Sequence, residues 1–464
     1  MPAAVDEKRN EELRRRLVSA IVAERAAGAA IALWTPDRVE LAAVGHANQE
    51  AGIEADDRTI FQIGSITKVF TATLLFALKE QGLVDLDQSV GVYLPAFRIA
   101  GREPPAALTV RSLLNYTSGI AGEFFADFGP DDSALERYVA ACAPLPLIFD
   151  PQTMRGYSST AYCVAGRIAE VVSGLSFNQA LVRNVLGPLC LRRTAFYTHD
   201  IARFRTAVGH VAMPDGGFRQ AGQLRLPHCM SPTGASLSMS AEDLLQFGLM
   251  HMRGGLARVG SRVLSAAHCA EMIDDGLRLP PDDAPALIGW AEIQTDRGRM
   301  IAASGQTIEH NAVLAFSPRG DFALAILANT AGAAQRLFLS LGAELLKERA
   351  DTLLSRPKPP AIDPDALKHP ERYVGLYTNH TRAEVSGTGA GLRIRFLADA
   401  AQTPGPAVSG APLMPLGGDS FAVENGPSLR FLFQHGDHAA SHFSWGGAIF
   451  GRCDASGATR YPSP

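Results

Sequence analysis

Phe61-Gln-Ile-Gly-Ser65-Ile-Thr-Lys68-Val-Phe-Thr-Ala-Thr-Leu-Leu75 is the stretch that decides how this chain is read, and Phe76-Ala-Leu-Lys-Glu-Gln-Gly82 completes it. Gly64 and Ser65 are helix-start residues and Gly82 is a stop. The segment between them is apolar nearly all round, which predicts a buried helix. Ser65 and Lys68 stand three apart and so share one face. Burial among Ile66, Val69 and Phe70 disfavours a charged lysine, so Lys68 is expected as an amine able to take a proton from the serine hydroxyl. Arginine could not replace it, because it does not deprotonate. The bland alternative is a serine N-cap beside a snorkelling lysine. The chain's lysines are Lys8, Lys68, Lys79, Lys347, Lys358 and Lys368, so none lies between 80 and 346.

At 464 residues the chain exceeds one ordinary domain, and two to four folding units are expected. Hydrophobic residues at 47% and charged residues at 19% allow a sizeable core and argue against disorder. Lys plus Arg at 43 against Asp plus Glu at 47 gives a net charge of −4, which excludes a generally basic nucleic-acid binder. The longest clean apolar run, Val69 to Leu78, is about half a membrane span, so neither a transmembrane helix nor a membrane partner is expected. The first residues, through Arg14, Arg15 and Arg16, are polar and charged and lack the apolar core of a secretory signal. Cys142, Cys163, Cys190, Cys229, Cys269 and Cys453 are scattered and read as reduced thiols. Both features point to the cytoplasm.

Residues 6–27 read as an amphipathic helix, and Ala29–Leu33 with Val39–Val44 as paired strands around Thr35-Pro36-Asp37. From about 100 to 290 the pattern is helix and loop. Asn311–Phe316 and Phe322–Ala328 bracket a turn at Ser317-Pro-Arg-Gly320, and Ala333–Arg349 is a closing helix. A stiff Pro-rich linker follows from Arg356 to Pro364. Beyond it, Tyr373–Tyr377, Leu392–Phe396, Ser428–Phe433 and Ser441–Trp445 alternate like the strands of a small all-β barrel. The expected organisation is a catalytic domain over 1–350, a linker over 351–368 and a barrel over 369–464.

The 61–75 stretch resembles the nucleophile motif of the SxxK serine hydrolases, the superfamily of penicillin-binding proteins, class C β-lactamases, D-aminopeptidases and related esterases. Leu113-Leu-Asn-Tyr-Thr-Ser-Gly-Ile120 is similar to its LLxHTSGL signature, and Tyr157-Ser158-Ser159 to its YSN segment. Val185-Leu-Gly-Pro-Leu-Cys-Leu191 is similar to its PLGM turn, and Ser231-Pro-Thr-Gly-Ala-Ser-Leu-Ser238 to its PAGGLxS stretch. The likeness runs in order from about 25 to 350. It implies an α/β (α+β) fold, an antiparallel sheet flanked by helices with a helical subdomain. It also implies Ser65 as nucleophile, Lys68 as the residue lowering its pKa, and Tyr157 as a general base whose phenolate the lysine charge favours. Ser159 falls where the family often has Asn. The C-terminal segment, through Arg372-Tyr-Val-Gly-Leu-Tyr377, resembles the lipocalin-like barrel appended to D-aminopeptidases, archaeal peptidases and penicillin-binding-protein-type thioesterases.

The third family motif departs. Where relatives carry Lys-Thr/Ser-Gly or His-x-Gly, this chain has Ala303-Ser304-Gly305, so the cation that would bind a substrate carboxylate is missing. The resemblance still implies an oxyanion hole from the amides of Ser65 and Gln306. His310 is a candidate for the lost imidazole, although a surface histidine is the plainer reading; Arg297 and Arg299 are further candidates. Trp445 to Arg452 is a candidate wall of the site, with Arg452 as carboxylate anchor, against the plainer reading of a barrel-core Trp and a rim charge. His435, His438 and His442 match no strong zinc spacing, so no metal is assigned. The chemistry needs no cofactor.

These readings lead to a serine acyl-enzyme hydrolase or transacylase acting on an ester, thioester or amide. It is expected either as a thioesterase releasing or cyclising a peptide from a carrier-protein-bound donor, or as an esterase or D-aminopeptidase-like amidohydrolase. The missing cation argues against a β-lactamase. A non-catalytic binding protein on a hydrolase fold is the alternative from another class, motivated by Ala303, Gln306 and Glu309 and opposed by intact Ser65, Lys68 and Tyr157.

Overall fold

The structure, a computed structural model, describes residues 4–453 other than 6, 197, 224, 275, 282–283, 356–361, 364–366, 380, 389–390, 398–409, 418, 424–428, 434–437 and 446. The central part of the Pro-rich linker and His435 therefore lie outside the described residues.

The opening segment forms the helix Glu7–Ala23, which buries Leu13, Leu17 and Ile21, a stripe at four-residue spacing. It covers one face of a sheet ordered Ala4–Val5, Arg38–Asn48, Gly28–Thr35, Ala323–Ala328, Asn311–Phe316, Gly298–Gln306, Ala291–Thr295. The first pair is parallel and the pairs that follow are antiparallel. The inner strands are buried on both sides, because helices cover both faces. Val313, Ala315, Leu324 and Ile326 face Leu13, Leu17, Leu337 and Phe338. Ala312, Leu314, Ala325 and Leu327 alternate to the opposite face, toward the buried helices Thr67–Glu80 and Ala241–Met252. Full burial of one such Leu or Ile contributes about 1.5–3 kcal/mol.

The closing helix is not uniform. It runs as Ala333–Leu337, a π-helical turn Phe338–Gly342, and Ala343–Ala350. After it the chain rejoins the sheet edge, where Ser355 N donates to Gln294 O at 2.9 Å.

The C-terminal part is a closed eight-stranded barrel from Gly375–Asn379 through Ala448–Arg452. Closure leaves no strand edge unpaired. Aromatic side chains fill it, with Tyr377, Phe421, Phe431, Phe443 and Phe450 in one cluster. Four strands match the alternating runs read from sequence. The strands Thr381–Thr388, Ala411–Gly417, Ser420–Val423 and Ala448–Arg452 complete the ring without so regular a pattern.

The barrel is seated on the catalytic domain through a small apolar cluster, Ala121, Ile148, Phe149 and Ile449, with Met154 and Leu432 against it. Polar contacts frame it. His442 Nε2 donates to Ile148 O at 2.7 Å, which fixes that ring's tautomer, and Arg430 Nη1 donates to Pro281 O at 2.5 Å.

Candidate active site

Ser65 sits in a single 3₁₀ turn, Gly64–Ile66, and Lys68 in the first turn of the following helix. Ile66 occupies the helix N-cap and no side chain caps it, so Ser65 is not held by a capping role. Its backbone is pressed against the strand Gly298–Gln306. A Cβ added to Gly64, whose φ is +53°, would lie 2.6 Å from Gln306 N. One added to Gly305 would lie 2.0 Å from Ile63 O and 2.7 Å from Ser65 N. Only glycine allows this approach, and it brings the amides of Ser65 and Gln306 to one place, as an oxyanion hole requires.

Lys68 is 1% exposed. Its Nζ donates to Ser65 Oγ at 3.1 Å, to Tyr157 OH at 2.5 Å and to Thr233 O at 3.2 Å. Ser65 Oγ and Tyr157 OH are 2.7 Å apart, which closes a triangle of nucleophile, amine and phenol. Thr71 Oγ1 donates to Pro232 O at 2.7 Å and locks the segment that presents the Thr233 carbonyl. Tyr116, at the His position of the LLxHTSGL signature, stacks on Tyr157 with ring centroids 5.4 Å apart.

Burial lowers the pKa of Lys68, opposed by the Glu123 carboxylate. Burial also raises that of Tyr157, and Glu123 adds to the rise. Burial thus disfavours the charged form of each group. Burial works against the standing phenolate that the resemblance implies.

Ser159 is buried at the start of the helix Ser159–Ser173, which Ser158 caps by accepting from Ala161 N at 3.0 Å. Its Oγ donates to Glu123 Oε1 at 3.0 Å. Glu123 was not singled out from sequence. It lies in a loop with no motif of its own, and only its place beside Ser159 shows its relevance.

Ala303 pairs with Leu314 and faces the helix Thr67–Glu80 side of the sheet. The outer strand's register ends at Ala291 opposite Ala302, so residues 303–306 present an open edge beside the nucleophile turn. Ser304 points the other way, into a separate apolar cleft of about 650 Å³ under Phe338 and Leu339. Its hydroxyl is thereby removed from the expected substrate contact.

His310 is buried, not a surface residue. Its ring packs edge-on to Phe61, and burial pushes its pKa down to about 3. The structure does not bring it to Ser65. Arg452 donates to the Val374 and Ala440 carbonyls and lies over the Tyr377 ring, so it closes the barrel instead of anchoring a carboxylate. Arg299 bonds Ile273 O and Arg297 the Ala350 carbonyl, away from the site. His442 is spent on the domain interface, and no group of three metal-ligating side chains occurs among the described residues.

The barrel reaches the site directly. Tyr157 N donates to Gly447 O at 2.8 Å, in the turn between the last two strands. Asn379 Oδ1 accepts from Gly122 N at 2.5 Å, while Gly122 O accepts from Ser159 N at 2.8 Å and Thr160 N at 3.1 Å. Trp445 packs on Phe396, a barrel contact.

The Beta-lactamase family model matches residues 14–345. Penicillin-binding protein 4 of Amycolatopsis lactamdurans is 33% identical over 352 residues, covering 73% of this chain and 89% of that one. The crystal structure of SurE superposes with a TM-score of 0.78 at 23% identity, covering 96% of this chain and 99% of that one. A D-amino acid amidase from Ochrobactrum anthropi SV3 gives 0.60 at 20% identity, covering 73% and 99%. The chain belongs to the β-lactamase family and carries the hydrolase fold it shares with penicillin-binding proteins, a fold whose members are typically serine hydrolases. No helix among the described residues is long and apolar enough to cross a membrane.

Proposed function

We propose that this chain is a serine acyl-enzyme hydrolase or transacylase acting on an aminoacyl or peptidyl thioester, ester or amide. The observation that carries the reading is the closed triangle of Ser65, Lys68 and Tyr157, with three distances between 2.5 and 3.1 Å. Ser65 Oγ attacks the acyl carbonyl and its proton passes to the Tyr157–Lys68 pair. The Ser65 and Gln306 amides receive the developing oxyanion. The leaving thiol, alcohol or amine takes the proton back as the tetrahedral species collapses to an ester on Ser65. Water or an amine then repeats the sequence and frees the acyl group.

The closed barrel that follows the hydrolase domain favours a thioesterase that releases or cyclises a peptide from a carrier-bound donor in the cytoplasm. The likeness to a D-amino acid amidase supports an amidohydrolase instead. Intact-protein mass after mixing with peptidyl and aminoacyl thioesters tests the chemistry. An adduct present in wild type and absent in Ser65→Ala is expected. No adduct and no turnover with any donor would leave a non-catalytic binding protein as the reading. Product analysis with water alone against water plus an amine separates the two enzyme readings.

A further inference from the structure

Ser304 and Gly305 are chain neighbours that face opposite sides of one strand. Gly305, paired with Ala312, is pressed against the nucleophile turn, where an added Cβ would lie 2.7 Å from Ser65 N. Ser304, paired with Val313, faces the cleft of about 650 Å³ on the other side of the sheet. The thickness of the strand is all that separates this cleft from the turn that carries Ser65.

Ala291, Ile293, Ala302 and Val313 floor the cleft, and Phe338 and Leu339 roof it from the π-helical turn of the closing helix. Single π turns recur at functional sites. Among the described residues no Asp, Glu, Lys or Arg lines it, and Ser304 and Gln335 are exposed polar members of the lining. An apolar cleft of this size with a few polar groups has the make-up of a small-molecule site. It offers no partner to a carboxylate or an ammonium, so its occupant is uncharged. Ala303, on the same stretch of strand, fits that selection, because it removes the cation that relatives carry there.

The route in is the strand edge. The outer strand's register ends at Ala291 opposite Ala302, which leaves residues 303–306 open. A peptide laid along an open edge sends successive side chains to opposite faces. With the reacting residue on the Ser65 face, the side chain of the next residue points to the cleft.

We propose that the cleft is a subsite for an uncharged apolar side chain on the residue adjoining the reacting one in a peptidic substrate. This rests on the acyl-enzyme reading above and names the substrate class for it. The apolar residue belongs either to the acyl donor, one place before the reacting residue, or to the amine that resolves the acyl-enzyme.

The test compares acetyl-phenylalanyl-alanyl and acetyl-alanyl-alanyl thioesters of N-acetylcysteamine, with D- or L-alanine at the reacting position, by thiol release. A second arm offers phenylalaninamide or alaninamide to the acetyl-alanyl-alanyl donor and measures the amide formed. The quantity read in each arm is the ratio of kcat/KM for the aromatic partner to that for the alanine partner. A ratio of about ten or more is expected for wild type in one arm, which identifies the source of the apolar group. Ala291→Phe fills the cleft from an exposed strand end and should bring that ratio to within about threefold of one. Leu339→Asp, at an exposed position, sets a charge in the roof and should lower it as well. Ratios near one in both arms for wild type overturn the proposal. So does a preference that both folded variants leave intact, including variants that slow the two partners alike. Absence of Ser65-dependent turnover in wild type is a different failure: it removes the acyl-enzyme reading and this proposal with it.

Discussion

Tyr157 hangs from Gly447. The main-chain N–H of the tyrosine that touches Ser65 Oγ donates to a carbonyl 290 residues later in the chain, at the tip of a barrel hairpin. The barrel thus helps to hold the backbone of a residue that contacts Ser65.

Asn379→Ala tests this coupling. It strips Gly122 N of its partner in a buried setting, which costs about 1–3 kcal/mol of stability. Gly122 also holds Ser159 and Thr160, so the rate of Ser65 acylation is expected to fall more than substrate affinity. Stopped-flow acylation compared with substrate titration separates the two, and a fall in stability alone would make Asn379 merely structural.

Lys68→Arg should lose about 100-fold or more in acylation rate, the scale of a general base. A permanent cation cannot share the serine proton, and the planar guanidinium does not fit three donors spent on Ser65, Tyr157 and Thr233 O. Burst kinetics with an activated ester measure it. Near-normal rates would make Lys68 a packing residue.

Lys68 also predicts a pH slope. Its pKa is lowered on folding, so below the ordinary lysine value the unfolded chain binds more protons than the native one. Stability then rises with pH toward that value. Lys68→Met removes this contribution. Denaturant unfolding between pH 6 and 9 should show wild type gaining on Lys68→Met as pH rises. Parallel curves would mean the buried amine keeps its proton.

His310 governs an acid limb. Burial lowers its pKa from 6.5 to about 3, so protonation in the unfolded state destabilises the native fold progressively as pH falls between those values. His310→Leu should flatten that limb in a melting-temperature series from pH 7 to 3.

Gly305→Ala should place a methyl group against Ile63 O and Ser65 N and displace the amide of Gln306 from its partner. Loss of one oxyanion donor costs about 100-fold or more in acylation. A rate within threefold of wild type would show that the amide plays no such part.

The Ser65–Lys68–Tyr157 triangle was legible because SxxK on a nearly all-apolar helix joins a short local pattern to a chemical need, and Tyr157 followed from the resemblance. The sheet hairpin at Asn311–Phe316 and Ala323–Ala328 was legible from unbroken apolar runs around a turn. What the sequence hid is long-range. Glu123 gains its meaning from Ser159, Gly447 from Tyr157 and Asn379 from Gly122, and no local periodicity records such pairings. The barrel's remaining strands were hidden because a closed sheet tolerates short and irregular members once its neighbours are paired. Arg452 misled because its charge suggested a substrate, whereas backbone carbonyls take its donors.

The hydrogen bond from Tyr157 to Gly447 also sets an order of events during synthesis. A ribosome-bound chain has made Ser65, Lys68 and Tyr157 long before it reaches residue 447, so the main-chain N–H of the tyrosine meets this partner only when the final hairpin folds against it. Until then the ring relies on its contacts to Ser65, Lys68 and Tyr116. The last hairpin to be made thus completes the hydrogen bonding of a residue made 290 positions earlier.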